Sequence, residues 1–244
     1  MNLDDSQSSR ETVVHVRGLY KSYGSRPALD GVDLDLQAGR IVGLMGQNGC
    51  GKTTLMKVMA GLLSDYRGTV QICGLAPGLE AKKLLAFLPD SSMISPELTA
   101  SGAINLFADF FDGFDREKAL EMLRFFDLEE DLKVRRMSKG MAEKLQIALV
   151  MSRNVRVYLL DEPISGVDPA ARSVILDGVI RSFNEDSLMV ISTHLIQDIE
   201  SVVDEAVFMN SGKIALHRDA DEIREVDGKS IDGLFREMFA CSPR

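Results

Sequence analysis

One stretch restricts this chain more than any other: Gly46-Gln47-Asn48-Gly49-Cys50-Gly51-Lys52-Thr53-Thr54. It meets the pattern G-x-x-x-x-G-K-[ST] at every fixed position, and a glycine loop of that kind cradles phosphate only between a strand and a helix. Both are expected here. Ile41 to Met45 is a short apolar run suited to a buried strand, and Thr54 to Leu63 reads as a helix. The glycines allow the backbone to wrap closely around a polyphosphate, so that the amides of Gly46 to Thr54 and the helix N-terminus point at the anion. Lys52 places an ammonium on the terminal phosphates, and the Thr53 hydroxyl is positioned for the Mg²⁺ that accompanies them. Cys50 fills a variable position and is expected to contribute its amide, not its thiol.

A carboxylate pair completes the chemistry. Val155 to Leu160 is an apolar strand ending in Asp161-Glu162, and an aspartate at the end of a strand in a phosphate-loop fold holds the metal side of the site. Glu162 is then available to orient a water and take its proton. Leu188 to Ile191 is a further buried strand, followed by Ser192-Thr193-His194. A lone histidine is usually structural, but this one ends a parallel strand on the edge where open α/β sheets bind ligands, within reach of a terminal phosphate. Met137-Ser138-Lys139-Gly140-Met141 precedes a helix, so Ser138 and Gly140 form either a second anion site or an ordinary N-cap. Tyr23, beside Gly24, either stacks on a base or packs a sheet edge.

The rest of the chain frames these residues. Thr12 to Tyr23 and the alternation of Val32, Leu34 and Leu36 with Asp33 and Asp35 predict strands of an antiparallel sheet with one wet face. Gly68 to Gly74 and Leu84 to Leu88 predict further strands, the second ending at Pro89-Asp90. Between residues 91 and 154 the character turns helical, with Thr99 and Asp115 as caps. The tail carries a hairpin, Ala206 to Met209 and Ile214 to Leu216, then a helix from Ser230 with Ile231, Leu234, Phe235 and Met238 on its buried face.

A length of 244 residues with 45% hydrophobic and 27% charged content suits one large globular α/β domain. Its 28 basic and 37 acidic residues give a net charge of −9, which argues against a nonspecific nucleic-acid or anionic-membrane binder. No apolar run approaches the roughly 20 residues that span a bilayer, and the start, Met1 to Arg10, lacks the apolar centre of a secretory signal. A cytoplasmic chain is expected. Cys50, Cys73 and Cys241 show no paired spacing, so neither a disulfide framework nor a zinc site is expected.

Together these motifs resemble one family, the nucleotide-binding subunits of ATP-binding cassette (ABC) transporters, from about Val13 to Leu216. The phosphate loop, MSKGM in the place of the signature LSGGQ, YLLDEP as Walker B, SGVD as the D-loop and STH as the switch histidine stand in the family's order. Tyr23 matches the aromatic that stacks on adenine there. The resemblance implies an α/β fold: a P-loop NTPase core with a mixed central sheet, a small antiparallel β subdomain and a helical subdomain. It implies a single nucleotide-binding domain: a polar tail at 1–11, an ATPase core over 12–90 and 155–218, a helical subdomain over 91–154, and a helical extension over 219–244.

The same resemblance implies function. Two such domains dimerise head to tail, as a homodimer or heterodimer, with the phosphate loop of one and the signature Ser138 and Gly140 of the other enclosing each ATP and its Mg²⁺. Binding closes the dimer, hydrolysis reopens it, and the cycle drives a membrane permease, which places the chain at the cytoplasmic face of the membrane. Phrases such as LPD and SKGM are similar to the exporters with separate ABC-2-type membrane subunits. The alternative is a non-transport ATPase of the same family in a soluble complex, for example in cluster assembly. Lys139 replaces a glycine of the signature and Met141 a glutamine. Asp90 stands where the family has a glutamine that reaches Mg²⁺ and senses the membrane subunit. An aspartate is shorter and charged, so Asp90 is expected beside the metal through water, or as a coupling residue.

Overall fold

Alternating burial in the first two strands sets the shape of the N-terminal part. The structure, a computed structural model, describes residues 10–239; the start of the polar tail and Cys241 lie outside them. β1 (Thr12–Tyr23) and β2 (Arg26–Gln37) pair antiparallel. Val14, Val16, Val32, Leu34 and Leu36 face inward. On the wet face, His15 Nδ1 lies 2.7 Å from Asp35 Oδ1, and the Gly18 N–H donates to Asp33 Oδ1 at 2.7 Å.

β3 (Arg40–Met45) leads into the phosphate loop and α1 (Lys52–Met59). The helix begins before the expected Thr54, because Gly51 acts as its N-cap. It also ends before Leu63: Gly61 adopts φ 65, a left-handed turn that stops the helical ladder. β4 (Arg67–Ile72) joins β1 to complete a small antiparallel sheet in the order β2-β1-β4. A short helix, α2 (Leu79–Lys83), precedes β5 (Leu85–Leu88).

Three capped helices follow. In α3 (Ala100–Phe110) the Gly102 N–H donates to Thr99 Oγ1 at 3.0 Å, and in α4 (Arg116–Phe125) the Lys118 N–H donates to Asp115 Oδ1 at 2.9 Å. α5 (Lys139–Met151) is capped by Ser138 and is buried without interruption from Leu145 to Met151. β6 (Val157–Asp161), α6 (Pro169–Ser182), β7 (Leu188–Thr193) and α7 (Ile196–Ile199) come next. A hairpin of β8 (Glu205–Asn210) and β9 (Lys213–Asp219), then α8 (Ala220–Val226) and α9 (Ile231–Phe239), close the described chain.

One expected core position fails. Met238 is 37% exposed, and Phe239 packs inward in its place. The Phe235 ring meets Phe208 edge-on at 5.2 Å and Phe239 at 4.6 Å, so the buried stripe of α9 follows the i, i+4 line of aromatic residues.

The central sheet has the order β5-β6-β7-β3-β8-β9 and is mixed, parallel except for the antiparallel β8-β9 pair. Both faces are covered. Ile41, Met45, Leu160 and Ile191 enter one core, whereas Val42, Leu44, Leu159 and Val190 enter the other. Strands buried on two sides read as unbroken apolar runs, which is why β6 and β7 lack alternation. The register then assembles one edge: Met45 pairs with Thr193, Asp161 with Ser192 and Leu88 with Leu160. Gly46, His194, Glu162 and Asp90 all follow strand ends at that edge.

Candidate active site

The phosphate loop is wedged into a space that only glycine tolerates. Gly51 adopts φ 116, and a β-carbon there would fall 2.5 Å from the Ala28 carbonyl oxygen. At Gly46 a β-carbon would fall 2.5 Å from the Met209 carbonyl oxygen and 2.6 Å from Cys50 Sγ. The Gly212 N–H donates to the Cys50 carbonyl at 2.9 Å, tying the loop to the β8-β9 turn. No acidic residue occupies the first turn of α1 and Gly51 supplies no side-chain cap, so the positive helix end keeps its orphan amides for an anion.

Lys52 is almost fully buried, at 5% exposure. Its Nζ donates to the Gly46 carbonyl at 2.8 Å and the Gln47 carbonyl at 3.4 Å, and lies 3.4 Å from Glu162 Oε1. His194 Nδ1 approaches Glu162 Oε2 at 2.9 Å. Glu162 thus bridges Lys52 and His194. Its backbone is held at φ 52, with the N–H directed at the carbonyl and hydroxyl oxygens of Ser192, each at 3.1 Å. A left-handed glutamate directly after a strand turns the carboxylate out over the sheet edge.

Asp161 lies beneath, fully buried. Ser192 Oγ donates to its Oδ1 at 2.5 Å, while Oδ2 has no hydrogen-bond partner among the described residues. Burial pushes this carboxyl up; the Ser192 and Thr53 hydroxyls oppose the rise, and the charges of Asp90 and Glu162 add to it. A buried carboxylate with an orphaned oxygen, a hydroxyl alongside and further carboxylates nearby fits a divalent cation. Among the described residues no three His, Cys, Asp or Glu side chains group as a metal cluster of their own. Thr53 and Asp161 offer one hydroxyl and one carboxylate to such an ion.

Lys52, Thr53, Glu162 and His194 open onto one cavity of ≈ 530 Å³, whose lining does not include the buried Asp161. Asn48, Gly49, Gly51, Lys52, Thr53 and Thr54 form one wall, and Asp90, Glu162 and His194 face them. Tyr23 stands at the mouth, 53% exposed, with Lys21 Nζ 5.2 Å from its ring centroid. Cys50 is buried behind the loop; its N–H donates to the Gln47 carbonyl at 3.2 Å, and burial pushes its thiol up. Ser138 and Gly140 do not reach this cavity. The Ser138 hydroxyl accepts from the Met141 N–H at 3.2 Å, the ordinary capping contact.

Three wall residues were not expected in this cavity: Ala28, Lys139 and Ser165. Ser165 lies in the turn before Pro169, whose composition marks a tight bend but not its direction. Lys139 is marked in the sequence only as a departure within the signature, and Ala28 carries no local signal.

Comparison with known proteins fits this geometry. Residues 29–165 match the family described as ABC transporter. The chain is 30% identical over 239 residues to the Nod factor export ATP-binding protein I of Ralstonia nicotianae, covering 91% of this chain and 74% of that one. It is 30% identical over 236 residues to the daunorubicin resistance ATP-binding protein DrrA3 of Streptomyces coeruleorubidus, covering 93% and 75%. A solved ATP-binding subunit of an ABC transporter superposes with a TM-score of 0.81 at 27% identity, over 93% of this chain and 99% of that one. Since the matched span carries both the phosphate loop and the Asp161-Glu162 pair, the chain belongs to the ABC transporter family, as an ATP-binding and ATP-hydrolysing cassette.

Proposed function

We propose that this chain powers a membrane exporter encoded as a separate permease chain, and that two cassettes close head to tail around ATP. ATP occupies the cavity with its base on Tyr23 and its phosphates on Lys52 and the amides of Gly46, Gln47, Asn48, Gly49, Cys50, Gly51, Thr53 and Thr54. Thr53 and Asp161 would hold Mg²⁺, with Asp90 contributing through water. Bound there, the ion would neutralise charge on the phosphates.

The bridge Lys52–Glu162–His194 is the observation that carries this reading. It occupies the place where a terminal phosphate belongs. An arriving γ-phosphate offers Lys52 and His194 a more highly charged partner, so both exchange Glu162 for phosphate oxygens. Glu162 is then released to orient the attacking water and accept its proton, while His194 contacts the γ-phosphate.

Ser138 and Gly140, at the exposed N-terminus of α5 and outside their own chain's cavity, are assigned to the nucleotide of the second cassette. Loss of the γ-phosphate removes the affinity that favours the closed pair. No helix among the described residues is long and apolar enough to cross a membrane, so this reading gives the crossing to another chain and places the cassette on the cytoplasmic face. The relative named a Nod factor export ATP-binding protein supports transport over the soluble-complex alternative.

The test is Glu162→Gln. Hydrolysis is expected to fall about 10²-fold to 10⁴-fold, and ATP with Mg²⁺ is expected to drive the variant from monomer to dimer on size exclusion. A variant that stays monomeric, alone and with its co-purified membrane partner, refutes the head-to-tail reading.

A further inference from the structure

Lys139 lies on the rim of the cavity although it belongs to α5, whose cap residue faces elsewhere. Its side chain crosses the turn that follows Walker B. A β-carbon at Gly166 would fall 2.0 Å from Lys139 Nζ and 3.2 Å from its Cε, so the ammonium lies against this glycine, which adopts φ 71. Glu143, one turn further along α5, feels the charge. Yet among the described residues no ion pair or hydrogen bond engages the Lys139 ammonium.

Charge explains what such a group does there. Asp90, Asp161 and Glu162 crowd one side of the site, where Lys52 Nζ lies 3.4 Å from Glu162 Oε1. Lys139 adds a second ammonium to that of Lys52 in the lining of the same cavity. We propose that Lys139 contacts the terminal phosphate of the nucleotide held by its own chain, turning its ammonium from beside Gly166 into the cavity it lines. This rests on ATP occupying the cavity as described above.

The role predicts discrimination between triphosphate and diphosphate. A solvent-accessible cation on phosphate contributes modestly, so Lys139→Met should weaken binding of a fluorescent ATP analogue about threefold to tenfold. The matching ADP analogue should lose less than about twofold, because the lysine meets the terminal phosphate alone. Lys139→Arg should restore the ATP preference. Titrations use the whole chain at concentrations where it is monomeric, in low and moderate salt, with Lys52→Ala as the control that abolishes phosphate binding. Equal ATP affinity in Lys139→Met and the parent overturns the proposal, as does a defect seen only once dimers form, which would place the lysine on the partner's nucleotide. A parent chain that binds no ATP analogue would instead overturn the assignment of the cavity itself.

Discussion

Glu162 and Glu143 show how differently two glutamates are held. Glu162 is kept in left-handed backbone at a cost of about 1–3 kcal/mol, which the bonds to Ser192 and the bridge to Lys52 and His194 must offset. Glu143 sits on α5, where burial pushes its carboxyl up to about 7, with Lys139 opposing the shift and Gln146 Nε2 donating to it at 3.4 Å. The folded chain therefore holds this proton more tightly than the unfolded chain, whose carboxyl titrates near 4.5. Its contribution to stability is fully present below that value and is lost as pH rises through about 7. Glu143→Gln should match the parent near pH 5 and exceed it by about 1–2 kcal/mol at pH 8 in urea unfolding, allowing for partial exposure. A difference that does not change with pH would refute this.

Helix packing depends on one missing side chain. α6 approaches the end of α4 so closely that a β-carbon at Gly178 would fall 2.5 Å from Phe126 Cζ, and Phe126 is 1% exposed. Gly178→Ala sets a helix-propensity gain of up to about 1 kcal/mol against an overpacking cost of about 1–3 kcal/mol. Phe126 is fully buried and a second ring, Phe125, also crowds Gly178, so the cost should win by about 1 kcal/mol, read as a lower urea midpoint at unchanged slope. A raised midpoint would show that the rings yield. The buried Gln146 on α5 has a comparable tertiary reason: its Oε1 accepts from the Met93 N–H at 2.9 Å, joining the helix to the segment after Asp90.

For the molecule as a whole, the cavity draws on segments far apart in the chain: the end of β1, the phosphate loop, Asp90 after β5, Lys139 on α5, and the ends of β6 and β7. A ligand held by all of them binds only the folded chain, so ATP with Mg²⁺ at a hundred times its Kd should add about 2.7 kcal/mol. For a chain of this size that is a rise of about 5–10 °C in Tm. EDTA should remove part of the rise, and Asp161→Asn should abolish the EDTA-sensitive part, because the proposed cation position is the unpartnered Asp161 Oδ2. If chelation makes no difference to the parent chain, Asp161 and Thr53 do not hold a metal.

The phosphate loop, the Asp161-Glu162 pair, the caps Thr99, Asp115 and Ser138, and the buried strands could be read from residue order, because each is a local matter of backbone freedom, capping or apolar run length. α2 and α7 left no such trace, because at five and four residues they span little more than one turn and show no repeat. The choice of Phe239 over Met238 depended on where Phe208 stood, a contact from another element. The meeting of Lys52, Glu162 and His194 and the arrival of Lys139 at the same cavity were settled only by strand order, register and the contact of Lys139 with Gly166. Spacing along a chain specifies how each segment folds on itself, whereas distances between segments are set by which faces must be buried together.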